Sequence, residues 1–209
     1  MTGPTHRKYA VCFAFIFTIL LYRSNTTEVN YYLLLIIMLE MSKKGAIFPD
    51  LDHTWHNVSE KTLPNRIVNV LIKATGGKHR SWQTHSIDIC VYFTMISIYL
   101  PNILYNLGRL SSVNREILSV ILMGFASGWI SHLFSDMLTP EGVRIVCFSK
   151  VKIKIVPKKL LGFRFSTGSS WEEFLCKFTQ VINYVLGTIC LIYPYIDNIL
   201  NLIQNMKGR

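Results

Sequence analysis

Five apolar runs mark the chain, at 9–22, 31–39, 87–107, 117–134 and 181–203, separated by polar stretches of very unequal length. The run at 87–107 reads as the clearest membrane span, although Pro101 interrupts it. The run at 117–134 is the next, and its small residues Gly124, Ala126, Ser127 and Gly128 permit close helix packing. The first two runs fall short of the roughly 20 residues that cross a bilayer core. They fit short or tilted spans, a hairpin dipping part-way, or helices buried by neighbours, with spans preferred. Arg7 and Lys8 precede the first run as in a signal sequence, but no small-x-small cleavage site follows at 21–24, so a retained anchor is expected.

The polar stretches carry their own patterns. Between 64 and 75, Ile67, Val68, Val70, Leu71 and Ile72 alternate at helical spacing with Arg66 and Lys73, predicting a short helix at the membrane interface that Gly76 and Gly77 stop. From 143 to 165 the period is two, as in Val151-Lys152-Ile153-Lys154-Ile155-Val156, which predicts a small basic β-hairpin. Ser169-Ser170-Trp171-Glu172 has the form of a capping box opening a final helix, whose apolar part contains Pro194 and Asp197. The expected fold is all-α: one domain over 1–209, a membrane-embedded bundle of four to five apolar helices with a hairpin after the fourth. There is no internal repeat.

Composition sharpens this picture. Half of the 209 residues are hydrophobic, yet the formal net charge is +10, and the mean hydropathy is +0.32. The combination fits a membrane protein whose basic loops face anionic lipid, with nucleic acid as the competing partner. The five cysteines, Cys12, Cys90, Cys147, Cys176 and Cys190, form no Cys-x-x-Cys pair. They read as small core residues, which leaves imidazole and carboxylate as the donors for any metal.

If all five runs cross, seventeen lysines and arginines fall on the side of the N-terminus and the two long loops, and five on the other. The positive-inside tendency then puts the N-terminus and those loops in the cytoplasm, predicting a multi-pass protein of the inner membrane. All six histidines fall on that same side.

Several polar residues stand at the ends of apolar segments, where rigid elements can hold ligands. His132 and Asp136 are four apart, so on a helix both leave one face and can grip one divalent ion such as zinc, before Pro140 ends the helix. Asp50-Leu51-Asp52-His53 places two carboxylates and an imidazole within four residues, behind Pro49. His79 and His85 add imidazoles before the third run, and Arg80 suits a phosphate oxygen through paired hydrogen bonds. The bland reading of each is a satisfied polar pair, a turn cap or an exposed side chain. His56 fits no motif and reads as a surface residue.

Taken together, these segments resemble the YdjM-like, membrane-bound, metal-dependent hydrolases of bacteria. The resemblance runs in order through Thr5-His6, the 45–53 segment, His79-Arg80 to Thr84-His85-Ser86, Ser131-His132 to Gly142, and Thr167 to Glu172. More distantly the pattern is similar to zinc-dependent phospholipase C and the fungal single-strand nucleases. That similarity implies a metal held by Asp52, His85, His132 and Asp136, with Asp136 bridging to a second held partly by His6. Those enzymes use further histidines and an acid after His-x-x-x-Asp, whereas no histidine follows His132 here. Asp50, His53, His79 or Glu172 would substitute, with one to three ions in all; capping alone already explains Glu172.

The leading expectation is therefore hydrolysis of a phosphoester, such as a phospholipid headgroup, by metal-activated water, with Asp50 as proton acceptor. A transporter or metal-handling protein would need ionisable residues deep in the spans, where only Asp88 and Asp197 come close. A membrane-anchored nuclease would use the basic 144–177 region, but the positive-inside tendency explains that charge equally well.

Overall fold

The computed structural model describes residues 3–21, 28–55, 58, 60–139, 141–155, 159–160, 163–164 and 168–196. Six α-helices lie among them: α1 (Gly3–Leu21), α2 (Tyr31–Ile47), α3 (Leu63–Ala74), α4 (Ile87–Asn106), α5 (Ser112–Met137) and α6 (Ser170–Ile192). A 3-10 turn, Phe48–Asp52, follows α2 directly. Two short antiparallel pairs separate α5 from α6: β1 (Val143–Arg144) with β2 (Lys152–Ile153), and β3 (Lys159–Leu160) with β4 (Phe163–Arg164).

Helix α5 is the central post, against which α1, α2 and α4 pack, while α6 packs on α1. The small residues make the seam with α2. A Cβ at Gly128 would run into the Ser42 carbonyl, and one at Gly45 into the Phe125 carbonyl, so backbone meets backbone here. Ser127 donates to Ser42 at 3.0 Å and Ser42 to the Ala10 carbonyl at 2.9 Å, which satisfies the hydroxyls buried where α1, α2 and α5 meet. Towards the far end the same three helices bury Ala14, Leu34, Leu35, Met38, Val120 and Met123, together with Cys190 of α6.

Among the described residues, three helices are long and apolar enough to cross a membrane: α4, α5, and α6 with its continuation to Tyr195. Only 17% of the apolar window of α4 and 11% of that of α6 is buried, against 56% for α5. The outer faces of α4 and α6 are thus broad apolar surfaces suited to lipid. Helix α1 opens on a polar turn and α2 has 17 residues; antiparallel to each other, they lie beside α5 over about 25–28 Å at 1.5 Å per residue.

Several local expectations changed. Helix α2 continues beyond 39 to Ile47, carrying Glu40, Lys43 and Lys44, because Ser42, Gly45 and Ala46 face the seam and the charges face out. Helix α4 runs unbroken through Pro101, with the Asn102 amide donating to the Ile98 carbonyl at 2.9 Å. Instead of one hairpin over 143–165 there are two separate pairs. The first is drawn to the start of α4, where Arg144 N–H donates to the His85 carbonyl at 3.3 Å and Asp88 N–H to the Ile145 carbonyl at 3.3 Å. Helix α3 forms over the expected segment, with Gly76 at φ 77° ending it. All five cysteines are free thiols. His56, Pro140, Asp197, the 22–24 part of the cleavage segment and the end of the last apolar run lie outside the described residues.

The polar ends of α1, α2, α4, α5 and α6 gather at one end of the bundle. At the other end Glu116 accepts from the N–H groups of Glu28 and Val29 at 3.2 and 3.1 Å, and Tyr32 donates to the Leu191 carbonyl at 3.2 Å.

Candidate metal centre

Five stretches bring side chains to the polar end: the first turn of α1 (His6), the 3-10 turn (Asp50, Asp52), the approach to α4 (His79, Arg80, His85), the last turns of α5 (His132, Asp136) and the first turn of α6 (Glu172). The turn forms because Pro49 is set for its first positions, and the Asn69 amide of α3 donates to the carbonyls of Leu51 and, at 2.8 Å, His53. Lys73 of α3 donates to the Asp52 carbonyl.

Two groups among the described residues could hold a metal ion: His6, His132 and Asp136, and Asp50, His85 and His132. They share His132 and form one cluster. His132 Nε2 lies 3.3 Å from His85 Nε2, 3.7 Å from Asp136 Oδ2 and 3.9 Å from Asp50 Oδ1. His85 Nε2 is 3.5 Å from Asp136 Oδ2. On the other side of the carboxylate, His6 Nε2 is 3.9 Å from Asp136 Oδ1, and the His6 ring stacks on that of His132 at 3.9 Å. His6, His85, His132 and Asp136 are buried, whereas the Asp50 side chain keeps 24% of its surface exposed.

The hydrogen bonds behind the rings orient them. His132 Nδ1 lies 2.7 Å from the Ala46 carbonyl, which can only accept, so Nδ1 carries the proton. His85 Nδ1 is 3.1 Å from Asp52 Oδ2, which calls for the same tautomer. His6 Nδ1 is 2.6 Å from the Ser135 hydroxyl, which also lies 2.8 Å from the His132 carbonyl. In the neutral rings the Nε2 atoms of His85 and His132 therefore present lone pairs, and both, like Nε2 of His6, face Asp136. This is how metal-binding histidines are held from behind.

Asp52, expected among the ligands, stands behind His85. Its Oδ2 accepts from Ser81 N–H at 3.1 Å, the Thr84 hydroxyl at 2.8 Å and His85, while Oδ1 faces His79 Nδ1 at 3.2 Å. Burial by itself would raise this carboxyl, but the hydrogen bonds from His79, His85 and Thr84 outweigh it and hold the group well below the usual carboxylate range. The His53 ring lies tilted against that of His79, with centroids 3.7 Å apart, and burial with the neighbouring His79 pushes the His53 imidazole down. Neither belongs to the two groups.

Glu172 also lies outside them. It accepts from the Thr5 hydroxyl at 2.8 Å and from Gly168 N–H at 2.7 Å, pinning α6 to α1 beside His6. Ser169 caps α6 as the sequence indicates, accepting from Glu172 N–H at 3.4 Å. Arg80 adopts φ 57°, the left-handed region that costs a non-glycine residue energy. One of its nitrogens reaches Asp136 Oδ1 at 3.3 Å and another Glu141 Oε2 at 2.8 Å.

Residues not singled out by chemical type complete the site. Thr84 and Ser135 are buried hydroxyls beside the histidines. Ser135 follows His132 by three, a spacing that shares a helix face and was the available signal. The Ala46 carbonyl leaves no trace in the sequence.

No curated protein and no solved structure matches the chain. The family model described as YdjM inner membrane protein matches residues 1–197. That match spans every element that brings a side chain to the cluster, and the chain belongs to the YdjM inner membrane protein family.

Proposed function

We propose that this chain is a membrane-bound, metal-dependent hydrolase of phosphoesters, with its site at the cytoplasmic face of the inner membrane. The observation that carries the reading is the opposition of His85 Nε2 and His132 Nε2 at 3.3 Å, with Nδ1 of each ring already donating. Two lone pairs at that distance repel unless they share a cation. Ligands of a tetrahedral zinc ion, at Zn–N distances of about 2.0–2.1 Å, lie about 3.4 Å apart. The donor set, imidazole with carboxylate and no thiolate, suits zinc.

His85, His132 and Asp136 would hold one ion and leave a position for water, and His6 with the other oxygen of Asp136 would contribute to a second. Bound there, zinc supplies Lewis acidity towards water and a phosphoryl oxygen. Asp50, the most exposed of the group, is placed to take the proton from the attacking water. The water oxygen bonds to phosphorus, the bond to the leaving alcohol breaks, and the proton passes to that alcohol. Arg80 is anchored to Asp136, and its contact with the exposed Glu141 is one that a phosphoryl oxygen can replace. The excess of Lys and Arg on the loops at this end supports the cytoplasmic placement.

The test is elemental analysis of the purified protein alongside turnover of a soluble phosphodiester, for the native chain and for His132→Ala and Asp136→Ala. Stoichiometric zinc and turnover, both lost in the variants, are expected. Absence of metal, or equal turnover by the variants, overturns the reading.

A further inference from the structure

A cavity of about 330 Å³ lies between α1 and α4 on the face of α5 that backs the cluster. Phe13 comes from α1, Cys90 and Thr94 from α4, and Ile130 and Leu133 from α5. Its lining is almost wholly carbon. The one hydroxyl, on Thr94, donates to the Cys90 carbonyl at 2.8 Å, so it is not held out to a ligand. Water has too few partners to be stable in such a space. On the α4 side Val91 and Met95 remain 48% and 51% exposed, so the groove opens sideways, onto the apolar outer surface of a helix long enough to span a membrane.

Two features decide the occupant. The opening faces bilayer hydrocarbon in a chain of an inner membrane protein family, so the medium at the mouth is lipid tail. One end of the groove is also tied to the site: Ile87 is two residues past His85, and Met137 directly follows Asp136. We infer that this groove holds one acyl chain of a membrane phospholipid, entering sideways between α1 and α4, with its headgroup end at Ile87 and Met137. The phosphoester then lies on the Arg80 side of the cluster, which makes the substrate class an intact diacyl phospholipid rather than a soluble phosphoester. The claim about substrate rests on the hydrolase reading above; occupancy by a lipid chain does not.

The experiment uses the full chain in nanodiscs containing a phospholipid with a diazirine at mid-chain, photolysed and mapped by mass spectrometry. Labelling at Phe13 and Ile130 should exceed labelling at Val185 and Ile189, which are exposed on α6 and report ordinary lipid contact. Thr94→Phe, which fills the groove, should remove the excess, and Met95→Trp at the mouth serves where that variant does not fold. Equal labelling of groove and α6, or an excess unaffected by a folded variant, overturns the inference. In a second arm, Thr94→Phe should lower turnover of long-chain phospholipid about tenfold, because the chain no longer positions the phosphoester, and leave a short soluble phosphodiester unaffected. If the native chain hydrolyses neither compound, the hydrolase reading fails while the labelling still decides the groove.

Discussion

Thr5 donates its hydroxyl to Glu172 across 167 positions of sequence, at 2.8 Å and in a buried setting. The bond ties the turn that carries His6 to the start of the last helix.

Replacing that carboxylate separates a tether from a ligand. Glu172→Gln can still bond both Thr5 and Gly168 and should keep its metal. Glu172→Ala leaves buried partners unpaired at a cost of about 1–3 kcal/mol and should lower both thermal stability and metal content. Thermal unfolding in detergent with elemental analysis checks the pair. Loss of metal in Glu172→Gln with stability unchanged would make Glu172 a ligand.

Asp52 and His85 should differ in kind. His85→Ala removes a donor and should abolish binding at its position. Asp52→Asn only weakens the support behind the ring, and affinity should fall about 10–100-fold. Competitive zinc titration of each variant measures the difference; equal losses would put Asp52 directly on the ion.

Binding should weaken as the medium is acidified. An imidazole binds a cation only when neutral, and burial holds that of His6 well below the ordinary histidine value, so affinity persists through about pH 6.5 and is lost only as pH falls below that range. Asp52 does not contribute to this loss, because its lowered pKa keeps it an anion throughout that window. Titrations from about pH 8 to 4 should show the decline in the lower part of that range, and affinity independent of pH throughout it would argue against histidine ligands.

The seam between α2 and α5 should tolerate no added atom. A Cβ at Gly128 meets the Ser42 backbone, which cannot swing aside, so Gly128→Ala should destabilise the fold by about 1–3 kcal/mol. At Gly187 a Cβ approaches only the tip of the Phe15 ring, at 3.2 Å, and Gly187→Ala should be close to neutral. Thermal unfolding of both in the same detergent tests the contrast.

The helices, the small-residue seam and the pairing of His132 with Asp136 were legible in the residues, because each depends on a period of 3.6 or on a spacing of four along one backbone. Local chemistry likewise foretold the cap at Ser169, the glycine stop after α3 and the gathering of histidines at one end. The sequence could not assign parts to Asp50 and Asp52, two carboxylates two residues apart in one turn. The fold turns Asp50 towards His132 and Asp52 to the back of His85. Nor could it show that the Ala46 carbonyl orients His132 or that Glu172 is occupied by Thr5. Those partners lie tens of residues away or more along the chain. Only the packing of α1, α2 and α6 about α5 brings such atoms within reach, and at that range a difference of an ångström decides which oxygen faces which nitrogen.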